Sequence, residues 1–145
     1  MVKIKGSSGK IVDIQVLGIS AVMDRIRRAG IEIERGADAG VVKAGAYVEE
    51  EVKESIMGRR VEVKSVDTGR LGNSIEFNKT GKAEGIVAPK GDTYPGTGIT
   101  TKDTALWMEY GTSKIPKRSH FGNTEARTKG KVKDMIEDQI AKGKL

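Results

Sequence analysis

The string Gly96-Thr97-Gly98-Ile99-Thr100-Thr101-Lys102 is the first place to look for chemistry, since glycine-rich loops that end in lysine can cradle phosphates. Its spacing departs from GxxxxGK[ST], the pattern that makes backbone amides and one lysine converge on a phosphate, so an ordinary loop is the expected reading. Asp67 and Glu109 would work as an acid–base pair only if the fold joined them. Turn capping for Asp67 and a structural hydrogen bond for Glu109 are the simpler assignments, and neither context suggests a raised pKa. His120, beside Arg118 and Phe121, has the side chain of a general base. With no recognisable nucleophile or orienting acid near it in the chain, it reads as a structural or surface residue. Trp107 and Tyr110 lie three apart on a helical turn, a spacing that can stack bases but more often anchors a core or an interface.

Composition narrows the chemistry further. There are no cysteines and a single histidine, which removes disulfides, thiolate catalysis, cysteine-bound zinc and any multi-histidine metal site. No cofactor is expected. Aromatic residues make up only 4% of the chain, too few to supply a stacking platform for single strands. The net charge of +6 is uneven: from Lys114 onward nine basic residues face four acidic ones. That asymmetry suits an anionic partner, nucleic acid or an acidic protein face, or else a solvated helix surface. No stretch has the continuous apolar length of a membrane helix, and the opening MVKIKGSSGK lacks the apolar run of a secretory signal. The expectation is a protein that stays in the cytoplasm where it is made.

The elements that must position these residues follow from periodicity. With 145 residues and 37% apolar content, one domain spanning 1–145 is expected. Val2-Lys3-Ile4 and Ile11 to Val16 alternate like strands around the turn Gly6-Ser7-Ser8-Gly9, and Leu17-Gly18 ends the second. From Ser20 the period becomes helical, with Val22, Ile26, Ala29, Ile33, Ala37, Val41, Ala44, Val48, Val52 and Ile56 on one stripe. Gly30, Gly36 and Gly40 predict a kink or break between Gly30 and Gly40, whereas Gly45 marks a close approach by a neighbour. Met57-Gly58-Arg59-Arg60 ends the helix. Short strands are predicted at Val61–Lys64, Ser74–Asn78 and Gly85–Ala88, the last two joined by a hairpin at Lys79–Lys82, with a turn at Asp67–Leu71. Lys90–Lys102 reads as a long exposed loop, mobile in the free subunit. Asp103 is expected to cap a short helix that Gly111 stops. Asn123 or Thr124 would cap a last helix with Val132, Met135, Ile136 and Ile140 on its apolar face. The fold class is therefore α+β, a long N-terminal helix packed on a small antiparallel sheet, with a C-terminal helix.

Two segments carry a resemblance. Asp67-Thr68-Gly69-Arg70-Leu71-Gly72-Asn73-Ser74-Ile75, and Trp107-Met108-Glu109-Tyr110-Gly111-Thr112-Ser113 followed by Pro116, Arg118 and Phe121, lie in that order between the predicted helices. The chain thereby resembles the tail-component family of long-tailed phages typified by gene product ten of the lambdoid phage HK ninety-seven. That family carries a D-T-G-x-L-x-x-S-I string after a long helix, then strands, a Y-x-E-x-G-T string, an R-P-F-like loop and a closing helix. Ser119 stands where the loop usually has proline, Asn123 where a second proline often begins the last helix, and Lys90–Lys102 is longer than typical.

The resemblance implies a structural virion protein without catalytic activity, made in the host cytoplasm and assembled as a ring in the neck or at the head-proximal tail end. The ring is a hexamer by family analogy. Implied partners are copies of itself, head-closure or portal-side proteins, the tail terminator or tail-tube protein, and DNA passing through the lumen, with no membrane. In this reading Asp67, Thr68, Gly69, Leu71, Ser74, Ile75, Trp107, Glu109, Tyr110, Gly111, Thr112, Arg118 and Phe121 are architectural. Leu71, Ile75, Phe77, Trp107 and Tyr110 would fasten the strands against the long helix. The competing readings are a basic nucleic-acid-binding module using the C-terminal lysines, and an enzyme, which the composition disfavours.

Overall fold

In the computed structural model the backbone is described for residues 2–7, 11–16, 31–65 and 69–143, and side chains for 34–65 and 69–142. The elements in chain order are β1 (Val2–Ser7), β2 (Ile11–Val16), α1 (Ile31–Ile56), α2 (Arg70–Ser74), β3 (Ile75–Gly81), β4 (Glu84–Pro89), α3 (Thr101–Tyr110) and α4 (His120–Gly143). The strands form one antiparallel sheet in the order β1-β2-β4-β3. The chain leaves β2, runs through α1 and α2, and returns to place β4 beside β2, with Ile14 opposite Val87. The fold is α+β: the long helix lies on the sheet through β3 and β4, and α4 closes the other flank of that helix.

The helical stripe is buried as its period requires. Ala37, Val41, Ala44, Val48 and Val52 are fully buried, joined by Ile56, Leu71, Ile75, Val87, Phe121, Val132 and Ile136. The upper part of the predicted stripe, from Val22 to Ile33, lies outside the described side chains, as do Asp67 and Thr68.

The helix runs unbroken from Ile31 through Gly36 and Gly40, so the expected break does not fall there, and Gly30 lies outside the described residues. Both glycines exist for contact. A Cβ on Gly36 would stand 2.8 Å from the Gln139 carbonyl oxygen, and one on Gly40 2.8 Å from the Ile136 Cα. α4 therefore touches α1 backbone to backbone, which only hydrogen at these positions permits. Gly45 and Gly85 do a related job from two elements, since a Cβ on either would fall inside the Phe77 ring. The ring is slotted between α1 and β4. Around that slot, Glu49 accepts from the Phe77 N–H at 2.9 Å, and Asp38 accepts from the Ala83 N–H at 3.0 Å and from the Lys79 ammonium.

Other expectations need correction. Val61–Lys64 forms no strand, leaving Val61 86% and Val63 65% exposed, because Glu62 turns inward to charged and hydroxyl partners. Alternation there came from a polar residue facing in. Ser74 closes α2 by donating to the Leu71 carbonyl, so β3 begins one residue later. The stretch after Lys90 is mostly exposed, as expected, yet its backbone is cross-braced: Tyr94 N–H donates to Ile99 O, Thr101 N–H to Asp92 O, and Thr93 bridges Thr100. Thr100, not Asp103, is the N-cap of α3, and Asp103 is its capping-box partner, accepting from the Thr100 N–H at 3.0 Å. The helix α4 starts at His120, three residues ahead of Asn123.

These contacts give opposite signs to one kind of substitution. Alanine for a helical glycine gains about 1 kcal/mol in propensity. At Gly40 this is outweighed by overpacking of about 1 to 3 kcal/mol, because the obstructing atom is backbone. At Gly130 of α4, where an added Cβ meets nothing within 4 Å, only the gain remains. Urea unfolding should show Gly40→Ala destabilised and Gly130→Ala stabilised relative to the parent.

Candidate functional site

The functional candidates converge where the lower end of α1 meets the start of α4. Ser55 occupies the core side of α1 next to Val52 and Ile56 and is fully buried. Gly58 turns the chain, and the Ser65 N–H donates to the Ile56 carbonyl at 2.8 Å, which folds Arg59–Ser65 back along the helix end. This return brings Glu62 and Ser65 to the first residue of α4, His120, itself 1% exposed.

The hydrogen bonds form a continuous chain. Ser55 Oγ lies 2.8 Å from His120 Nδ1 and donates to Glu62 Oε1, while Ser65 Oγ lies 2.6 Å from His120 Nε2. Glu62 also accepts from Arg127 Nη1 at 2.8 Å, with Asn123 at 3.5 Å. Burial pushes the Glu62 carboxyl up, but the hydrogen bonds from Arg127 and Ser55 and the Arg127 charge together hold it below the usual carboxylate range. An ionised Glu62 only accepts, so Ser55 spends its proton there and offers His120 a lone pair. Nδ1 then carries the ring proton and Nε2 is the acceptor for the Ser65 hydroxyl. Burial is the main cause that lowers the imidazole pKa to about 4, with Glu62 opposing and Arg118 and Arg127 assisting. The ring is neutral at pH 7.

Arg118 approaches from the loop before α4. Its Nη1 donates to Ser65 Oγ at 2.8 Å and to the Lys64 carbonyl at 3.0 Å, and its own N–H donates to the Met108 carbonyl. Its Nε is buried without a hydrogen-bond partner among the described residues. Ser65 also forms part of the wall of a cavity of about 240 Å³ bounded by Gly69, Arg70, Leu71, Gly72, Tyr94, Thr104, Trp107, Met108 and Ile115. Arg70 stacks over the Tyr94 ring at 5.9 Å.

Gly69 to Gly72 of the first resemblance-bearing segment and Trp107 and Met108 of the second meet around this cavity, although 36 positions separate Leu71 from Trp107. Leu71 and Ile75 are buried in the core as expected. Trp107 is half-buried and faces the cavity, and Tyr110 is 53% exposed, so neither fastens the sheet to α1. The α3 helix turns Tyr110 outward because Ala105 and Glu109 take its buried side. Glu109, 3% exposed, accepts from the N–H groups of Phe121 and Gly122 at 3.0 and 2.9 Å. This carboxylate, from another helix, caps α4 in place of Asn123 or Thr124. Burial raises its pKa, opposed by those two amides, a shift its sequence neighbours did not suggest.

Gly111 sits at φ 77°, and a Cβ there would strike the Lys117 nitrogen at 2.9 Å. Thr112 accepts from the amides of Lys114 and Ile115, closing the turn that leads to Arg118. Gly69, at φ 79°, precedes α2. Ser119 takes φ 51°, which a proline ring cannot adopt, so this loop follows a course closed to the proline of the resembled family. The Gly96–Lys102 string is an ordinary loop, as its spacing predicts: the Thr97 and Ile99 N–H groups are bonded within the turn, and Thr101 is buried.

Sequence reading missed Ser55, Glu62, Ser65 and Arg127. A signal existed for Ser55, a hydroxyl on an otherwise apolar helical stripe. The other three lie on segments whose local pattern says nothing of a tertiary partner. Among the described residues, no group of three or more acidic or histidine side chains could hold a metal ion, and no helix is long and apolar enough to cross a membrane. No known protein family, curated protein or solved structure matches the chain.

The buried imidazole makes stability depend on pH in a definite direction. Folding depresses the His120 pKa from 6.5 to about 4, so its contribution is present above pH 6.5 and lost as pH falls towards 4. The shift corresponds to about 3 kcal/mol. Glu109, with a raised pKa, contributes with the opposite slope, so the comparison must be with His120→Gln. Between pH 7 and 4 the parent should lose more unfolding free energy than that variant, by urea midpoints at each pH.

Proposed function

We propose that the chain is a structural virion protein of a tailed phage or prophage, a ring-forming subunit of the neck or head-proximal tail that joins head to tail. The observation that carries this reading is that residues of both segments line one cavity. Leu71 and Gly72 face Trp107 and Met108 across the cavity. Glu109 caps the helix that Phe121 begins to bury, and Arg118 is tied to Met108. Residues shared with the resembled family thus have work to do together, and that work is architectural. Proposed partners are further copies of the chain, in a hexamer by family analogy, the head-closure or portal-side proteins, and the tail terminator or tail tube, with DNA in the lumen.

The alternative, a nucleic-acid-binding module using the C-terminal lysines, draws on the same net charge. On α4 the lysines are interleaved with acids, with Lys133 and Lys142 beside Glu137 and Asp138, and Lys131 lies over the Tyr47 ring. Arg127 is committed to Glu62. This breaks up the stripe that a phosphate backbone would track.

Joining of separated heads and tails in an extract should rise in proportion to added purified protein and saturate, with closed rings in negative stain. Leu71→Ala, removing a buried side chain worth about 2 to 5 kcal/mol, should reduce ring yield and joining together. Joining of many particles by trace protein, or DNA binding with a steep salt dependence and no ring, would overturn the reading.

A further inference from the structure

The Ser65 hydroxyl lies between an imidazole acceptor and a guanidinium donor, on the wall of an apolar cavity. His120 is already held by Ser55, which Glu62 orients, so the ring needs no second partner to stay in place. The outcome is an ordered series: hydroxyl, imidazole, orienting hydroxyl, carboxylate. This is the relation of nucleophile, base and orienting acid, with Ser55 interposed. Arg118 fixes the hydroxyl from its other side, its Nη1 donating to the Ser65 oxygen at 2.8 Å and to the Lys64 carbonyl at 3.0 Å. Leu71, Trp107, Met108 and Ile115 form the apolar side of the cavity, which suits a short acyl chain.

We propose that Ser65 is an activated nucleophile that accepts an acyl group from a small ester of apolar acid. In the forward step the Ser65 Oγ forms a bond to the ester carbonyl carbon, and its proton passes to His120 Nε2. The bond from that carbon to the alcohol oxygen breaks, and the leaving alkoxide takes the proton from Nε2. Water then attacks the acyl-serine, giving its proton through Nε2 back to Ser65 Oγ and releasing the acid. The balance is ester plus water to acid plus alcohol, with nothing oxidised or reduced. Because the buried ring is held neutral, Nε2 is free to accept at pH 7; its low basicity makes turnover slow, so the covalent adduct is the quantity to measure.

The test uses the intact purified protein and diisopropyl fluorophosphate, which forms an oxygen–phosphorus bond and expels fluoride, with the adduct located by tandem mass spectrometry. Ser65 should react at least roughly 100-fold faster than the exposed Ser113, the increment a positioned base supplies. Ser65→Ala should abolish the fast phase while keeping the circular dichroism spectrum of the parent. Arg118→Met, which removes the donor that fixes the Ser65 oxygen beside Nε2, should slow labelling at Ser65 and leave labelling at Ser113 unchanged. A p-nitrophenyl butyrate burst should exceed that with the acetate, and both should vanish in Ser65→Ala. Equal rates at Ser65 and Ser113, or a fast phase that survives in Ser65→Ala, would overturn the proposal. Ser65→Ala should still form rings and join heads to tails, so the outcome here is separable from that of the structural reading.

Discussion

The antiparallel contact between α1 and α4 is the constraint on which the rest of the molecule depends. It begins where Gly36 meets Ile140 and Gly40 meets Ile136, and it ends where Ser55 meets His120. Steps of four residues run along both partners between those points. On α4 the same rhythm buries Thr124, Thr128, Val132 and Ile136 against the α1 stripe. Bare backbone at Gly36 and Gly40 sets the separation of the axes, and side-chain size elsewhere must conform to it. Threonine at 124 and 128 fits that closeness, and Thr128 satisfies its hydroxyl by donating to the Thr124 carbonyl at 2.8 Å. A wider spacing would leave His120 short of Ser55 and open the polar cluster to water.

The polar cluster lies at one end of this helix pair for a related reason. Both helices end or begin there, so their terminal amides and carbonyls need partners that the apolar stripe cannot offer. Glu109 answers the first amides of α4 and Ser65 answers the Ile56 carbonyl of α1. Glu62 is drawn in with them, and its charge is met by Arg127 one face along α4. Ionised groups buried this way stabilise little in net terms, since desolvation offsets much of their attraction. Their effect is to fix which residues of the Arg59–Ser65 return and of α4 stand opposite each other.

How much of this was legible in the chain differs by the kind of signal. The α1 stripe from Ala37 to Ile56, the β3–β4 hairpin and the α4 face at Val132 and Ile136 were readable because periodicity reports burial directly. The glycines misled, because the same residue weakens an isolated helix and enables a packed one; only the partner decides which effect wins. Val61–Lys64 misled because alternation records which residue turns inward, not why, and Glu62 turns inward to Arg127 and Ser55. His120 was legible as structural but not as connected, since Ser55 and Glu62 are 65 and 58 positions away in the chain and nothing local announces them. Trp107 and Tyr110 were read as a pair by helical spacing; the buried side of α3 passes instead through Ala105 and Glu109.

Glu109 joins the α3 segment to the polar cluster at the start of α4. It belongs to the second resemblance-bearing segment, and its carboxylate starts the helix whose first residue is His120. Any shift of α3 against the first segment, across the cavity between Leu71 and Trp107, is therefore transmitted to the position of His120 between Ser55 and Ser65. Arg118 makes the same connection by a second route, held to Met108 through its backbone and to Ser65 through its side chain. Two attachments of α3 to the start of α4 resist rotation as well as translation, which one would not. Residues of both segments thus set the geometry of the cluster where a hydroxyl, an imidazole and a guanidinium meet.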